Sequence, residues 1–156
     1  MGFGKLFTDY MFEMDYSVEK GWHDPRVVPY HNFSMDPATS VLHYGQEIFE
    51  GMKCYRRKDG GLQLFRPRDN FKRMNRSAER MAIPQFDEDV AMAGLEKLLE
   101  VEKDWVPHTQ GATLYIRPPS SPWTPCSACT RRTPTSSTSS SRLGAYYAGG
   151  LARWTS

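Results

Sequence analysis

A cysteine pair, two glutamates, and a tyrosine two residues before an arginine are the places where spacing bears on chemistry. Cys126-Ser-Ala-Cys129 has the C-x-x-C spacing of half a zinc site or of a redox pair. No second pair and no nearby histidine completes a metal site, and no thioredoxin-like βαβ pattern surrounds it, so the spacing is expected to be incidental. Glu47 and Glu50 are acids that a proton-transfer site could use, although a solvated carboxylate on a helix surface is the commoner case. Tyr115 and Arg117 alternate in a strand-like run, which puts both on one face. Taken alone they are a half-buried tyrosine beside a surface arginine. Arg73, taken alone, is an exposed helix arginine like Arg76 and Arg80. Residues 1–117 hold no standard nucleophilic triad, phosphate loop or metal-ligand spacing.

These residues must be positioned by a mixture of strands and helices. Arg26-Val-Val-Pro-Tyr-His31 reads as a short strand with an edge proline. Met52–Arg57 and Leu62–Arg66 flank Lys58-Asp-Gly-Gly61, and Asp-Gly between alternating segments predicts a hairpin. A helix is expected from Asp69 as its cap to about Ala82, with Phe71, Met74, Ala78 and Met81 at helical spacing and Pro84 as its stop. A second helix is expected from about Asp87 to Trp105, its acidic start favoured by the helix dipole. Ala112–Arg117 is rich in strand formers. The fold class is therefore α+β, with a mainly antiparallel sheet carrying two helices on one face.

Composition limits the function classes and reveals a break. Of 156 residues, 39% are hydrophobic and 24% charged, the balance of a globular chain. A net charge of +2 gives no reason to expect a nucleic-acid partner. No apolar run reaches the roughly 18 residues of a membrane span, no signal peptide opens the chain, and three cysteines make no secreted framework, so a cytoplasmic protein without a membrane partner is expected. Every carboxylate lies before Arg117, and 17 of the 24 residues from Pro119 to Arg142 are Ser, Thr or Pro. That tract has no helical or strand period and reads as linker or disorder.

Six segments carry a resemblance. They are Phe3–Tyr10, Leu42–Lys53 with its His-Tyr-Gly and Phe-Glu-Gly, Leu64–Met74, Lys103–Pro107, Leu114–Pro118 and Gly144–Tyr147. In order and content they resemble the N-terminal half of branched-chain amino acid aminotransferases, pyridoxal-phosphate enzymes of the D-amino acid aminotransferase-like fold. The resemblance implies the small N-terminal domain of that fold, ending before the large domain. It implies pyridoxal 5'-phosphate as cofactor, amino acids and 2-oxo acids as small-molecule partners, and a homodimer. By position, Arg73 resembles the arginine that binds the cofactor phosphate, a task suited to a guanidinium fork. Phe3, Tyr44, Phe49 and Tyr146 resemble walls of the substrate pocket. Tyr115 and Arg117 resemble the pair near the substrate carboxylates. Glu47 and Glu50 match no catalytic position of the family. The lysine that holds the cofactor as a Schiff base belongs to the large domain, and none of the lysines here sits in its motif, so no catalytic residue is assigned. The chain by itself is expected not to transaminate.

The resemblance divides the chain into 1–118 as small domain, 119–143 as an aberrant segment, and 144–156 as a remnant of the interdomain connection. A shifted reading frame is the expected origin of the middle segment. Moved by one base, codons for Thr135–Ser141 can read Ile-Phe-Tyr-Ile-Ile-Leu, and those for Pro119–Pro125 can read Ile-Ile-Ala-Met-Asp-Pro, both like the family. The coding DNA tests this, since codons that give no apolar segment when shifted rule it out. Two other readings stay open: a non-catalytic binding domain with a flexible basic tail, and a D-amino acid aminotransferase-like enzyme.

Overall fold

The computed structural model describes residues 6–109 and 111–122, and the backbone of residues 146–149. Cys126, Cys129 and the segment read as frame-shifted from residue 123 onward lie outside the described residues, as does Phe3.

The chain opens with a hairpin of β1 (Tyr10–Ser17) and β2 (Gly21–Pro29). β1 follows no alternation, because Met11, Phe12, Glu13 and Met14 are all buried. The register slips between Glu13 and Asp15, facing Asp24 and Pro25, and Asp24 takes a left-handed φ of 53°. The bulge accommodates a proline that a regular ladder would reject. The sequence alone marks this strand only from Arg26 and carries it on to His31; the bulge hides its first half, and the strand ends at Pro29. A short helix α1 (Ser40–Tyr44) stops at Gly45, whose φ of 59° suits glycine. β3 (Ile48–Phe49), β4 (Met52–Arg56) and β5 (Leu62–Leu64) follow, and the expected hairpin forms with Cys54 opposite Leu64.

Helix α2 (Pro67–Arg80) starts earlier than expected. Arg66 precedes it with a φ of 49°, and Pro67 supplies the first helical φ, so Asp69 lies inside the first turn rather than capping it. Phe71, Met74 and Ala78 are buried as their spacing requires, whereas Met81 has left the helix and is partly exposed. Helix α3 (Glu88–Val101) begins as expected, its Asp87 carboxylate accepting from the Asp89 and Val90 N–H groups at 2.7 and 3.3 Å. It stops at Val101, and a separate 3-10 turn carries Lys103–Trp105. Gly94 lets Phe12 lie against α3; a Cβ there would stand 2.3 Å from the Phe12 ring.

β6 (Leu114–Arg117), β7 (Pro119–Ser120) and β8 (Tyr146–Gly149) complete the described elements. All pairing is antiparallel, but it falls into three sheets rather than one: β1-β2, β3-β7, and the order β5-β4-β6-β8. Two of these sheets are linked by chain segments that break at the same level. β3 and β4 are separated at Glu50 and Gly51, while β6 and β7 are separated at Pro118, and the Glu50 N–H donates to the Pro118 carbonyl at 3.0 Å. Pro119 and Ser120 belong to this pairing, although their composition reads as linker. Phe71, Met74, Leu95, Leu98, Leu114 and Ile116 sit in the common core between the helices and the sheet.

Candidate functional site

Phe49, Glu50 and Gly51, at the joint between β3 and β4, each reach a different candidate residue. Strand alternation turns Ile48 and Glu50 inward and Phe49 outward, where the residue is 58% exposed. The Arg117 guanidinium lies over that ring, 4.3 Å from the centroid. Arg117 Nε donates to Tyr115 Oη at 2.9 Å, and its guanidinium is 5.2 Å from the Tyr115 ring. Gly51 makes room for this pair, since a Cβ there would stand 2.5 Å from Tyr115 Oη.

Glu50 corrects the sequence reading. Neither it nor Glu47 lies on a helix, and Glu50 is only 5% exposed. It forms a fork with Arg73 from the middle of α2: Arg73 Nε donates to Oε1 at 2.6 Å and Nη2 to Oε2 at 2.7 Å. Asn70 Nδ2 donates to Oε2 at 3.0 Å, and the Gly51 N–H approaches it at 3.3 Å. Burial is the largest influence on this carboxyl and pushes its pKa up. The hydrogen bonds from Arg73 and Asn70, the Arg73 charge and the Gly51 N–H together outweigh it, so Glu50 is held below the usual carboxylate range. The Glu50 hydrogen bond, followed by its charge, raises the pKa of Arg73. The sequence offers Glu50 only as a solvated helix-surface acid, because a strand joint this short leaves no periodicity from which to read an inward side chain.

Arg73 also lines an open groove of about 510 Å³ with Phe65, Arg66, Lys72 and Arg76, where Asp69 is the single carboxylate. The Arg73 side chain remains 59% exposed despite its buried partner. The fork occupies Nε–H and one Nη2 hydrogen. The Nη1 hydrogens and the second Nη2 hydrogen stay outside the pair, on an arginine facing a cationic groove. That donor set fits an anion such as phosphate.

Of the other expected residues, Tyr44 closes α1 with an exposed ring 6.2 Å from that of His43. Tyr146 stands opposite Arg117 in the β6–β8 register, which brings distant parts of the chain to one sheet edge. Among the described residues no cluster of metal-ligating side chains occurs, and no helix is long and apolar enough to cross a membrane. Cys54 is fully buried, and burial raises its thiol pKa, so it has the character of a core residue.

No model of a known protein family matches the chain. Over 118 residues the chain is 56% identical to branched-chain-amino-acid transaminase 1 of Bacillus subtilis, a match covering 76% of this chain and 33% of that protein. It is 52% identical over 118 residues to branched-chain-amino-acid aminotransferase 2 of the same organism, covering 32% of it. Among solved structures, the branched-chain amino acid aminotransferase of Escherichia coli superposes with a TM-score of 0.60 at 22% identity, over 88% of this chain and 40% of that one. The enzyme of Thermobaculum terrenum in its PLP form gives 0.63 at 15% identity, over 94% and 42%. The chain thus spans about a third of the length of the curated relatives it matches.

Proposed function

We propose that this chain, whose sequence and fold are those of the N-terminal portion of branched-chain aminotransferases, binds pyridoxal 5'-phosphate and a branched-chain amino acid in the service of amino-group transfer to 2-oxoglutarate. The observation that carries the reading is Arg73, pinned by a buried carboxylate while its remaining N–H groups stay on a cationic groove.

In this reading Arg73 holds the cofactor phosphate. When bound, pyridoxal phosphate supplies an electron sink for charge developing at the substrate α-carbon. This chain's residues bind and orient. Phe49 and Tyr44 offer exposed aromatic surface to an aliphatic side chain, and Arg117, steadied by Tyr115 and Phe49, offers a cation to a substrate carboxylate. Phe3 and Tyr146 are proposed as further walls of the same pocket. A homodimeric assembly and a cytoplasmic location belong to the same proposal. The chain's lysines match none of the family's cofactor-lysine motif, so the property to test is binding.

Titration of the purified protein with pyridoxal 5'-phosphate, followed by absorbance, is the direct test. Arg73→Gln is expected to weaken binding at least about tenfold, because it removes charge-assisted bonds to a dianion. Binding equal to the unaltered protein would remove Arg73 from the role.

A further inference from the structure

We propose that Glu50 is a positioning residue for anion binding: it fixes the plane and direction of the Arg73 guanidinium so that the hydrogens left outside the pair meet a phosphate in the groove. This rests on the cofactor reading of Arg73. Two observations support it beyond that reading. First, Glu50 is buried to 5% exposure at a strand joint, a place where an apolar side chain would fill the same volume without desolvating a charge. Second, the carboxylate is committed to α2: Arg73 supplies two donors to it and Asn70 a third, at 2.6, 2.7 and 3.0 Å. A long, largely exposed arginine would otherwise sample many rotamers, and ordering it would weigh against phosphate binding. The fork settles that conformation in advance.

The same carboxylate brings a negative charge near any phosphate on Arg73. Its two possible effects therefore differ in sign. If Glu50 acts only through charge, removing the charge strengthens phosphate binding. If it acts by positioning, removing the fork weakens binding even though repulsion falls.

The test uses the full chain and the variants Glu50→Gln and Glu50→Asp. Inorganic phosphate and pyridoxal 5'-phosphate are titrated by calorimetry, and the Arg73 Nε–H signal is followed by nitrogen-15 NMR, assigned with Arg73→Lys. The expected result is a distinct, slowly exchanging Arg73 signal that is lost in Glu50→Gln, with phosphate affinity lowered about tenfold. Glu50→Asp keeps the charge but is one methylene shorter, so it is expected to weaken binding as well. This second variant decides the matter if Glu50→Gln loses its far-ultraviolet circular dichroism. Affinity that is unchanged or raised in the folded variants overturns the proposal, as does an Arg73 signal that exchanges like free arginine. A chain that binds neither ligand while holding the Arg73 signal overturns the cofactor reading and the anion-binding role of Glu50 together, whereas binding that is present but indifferent to Glu50 overturns the positioning role alone.

Discussion

Replacing Gly51 by alanine places a methyl group 2.5 Å from Tyr115 Oη and 3.2 Å from Tyr115 Cζ. The hydroxyl would have to retreat by roughly an ångström to reach ordinary van der Waals contact, away from the Arg117 Nε that now donates to it at 2.9 Å. Overpacking of this kind costs about 1–3 kcal/mol. The φ of Gly51 lies outside the left-handed region, so alanine also gains about 0.4–1 kcal/mol by restricting the unfolded chain. The net expectation is a loss of about 1–2 kcal/mol. In a Tyr115→Phe background the closest atom disappears, and contacts of 3.2 and 3.3 Å to the ring remain, which small ring movements relieve. There Gly51→Ala is expected to be nearly neutral. Urea unfolding of the four proteins, followed by circular dichroism, gives the coupling directly, and it should be about 1 kcal/mol or more. An equal loss in both backgrounds would refute the idea that Gly51 is required by the tyrosine hydroxyl.

Two further expectations concern the framework that carries the site. Glu102 is buried and accepts from the Tyr10 N–H; burial, and then the charge of Asp9, raise its pKa against that hydrogen bond. A raised carboxyl favours the folded state when protonated, and that contribution is lost as pH rises through the folded value. Glu102→Gln imitates the neutral form, so it should unfold at higher urea than the unaltered protein near pH 8, with the difference closing near about pH 4. Asp87→Ala removes the acceptor for the Asp89 and Val90 N–H groups and should cost about 1 kcal/mol, read as a fall of roughly 4 °C in the thermal midpoint.

Much of the scaffold was legible because its causes are local. Asp-Gly made the β4–β5 turn, Asp87 capped α3, and the spacing of Phe71, Met74 and Ala78 marked the buried stripe of α2. Errors gathered where a local signal competed with a stronger constraint. Pro67 set the start of α2 two residues ahead of Asp69, and the bulge at Asp24 and Pro25 concealed the start of β2. In β1 both faces are covered, so the alternation by which a half-buried strand is recognised is absent. Pro119 and Ser120 are polar-tract residues by composition, yet they pair with β3: composition does not register a two-residue pairing, and a proline at the start of so short a strand withholds only its own N–H from the ladder.

The candidate site divides along the same line. Its residue types and their order along the chain, from Tyr44 and Phe49 through Arg73 to Tyr115 and Arg117, are written in the sequence and are what resembles the aminotransferases. Which of them touch is decided by tertiary structure. The break between β3 and β4 turns Phe49 toward Arg117 and Glu50 toward Arg73, and brings Gly51 beneath Tyr115. No periodicity encodes the partner of a buried carboxylate. Glu50 is charged in its buried place because helix α2, 23 residues further along the chain, delivers an arginine to it.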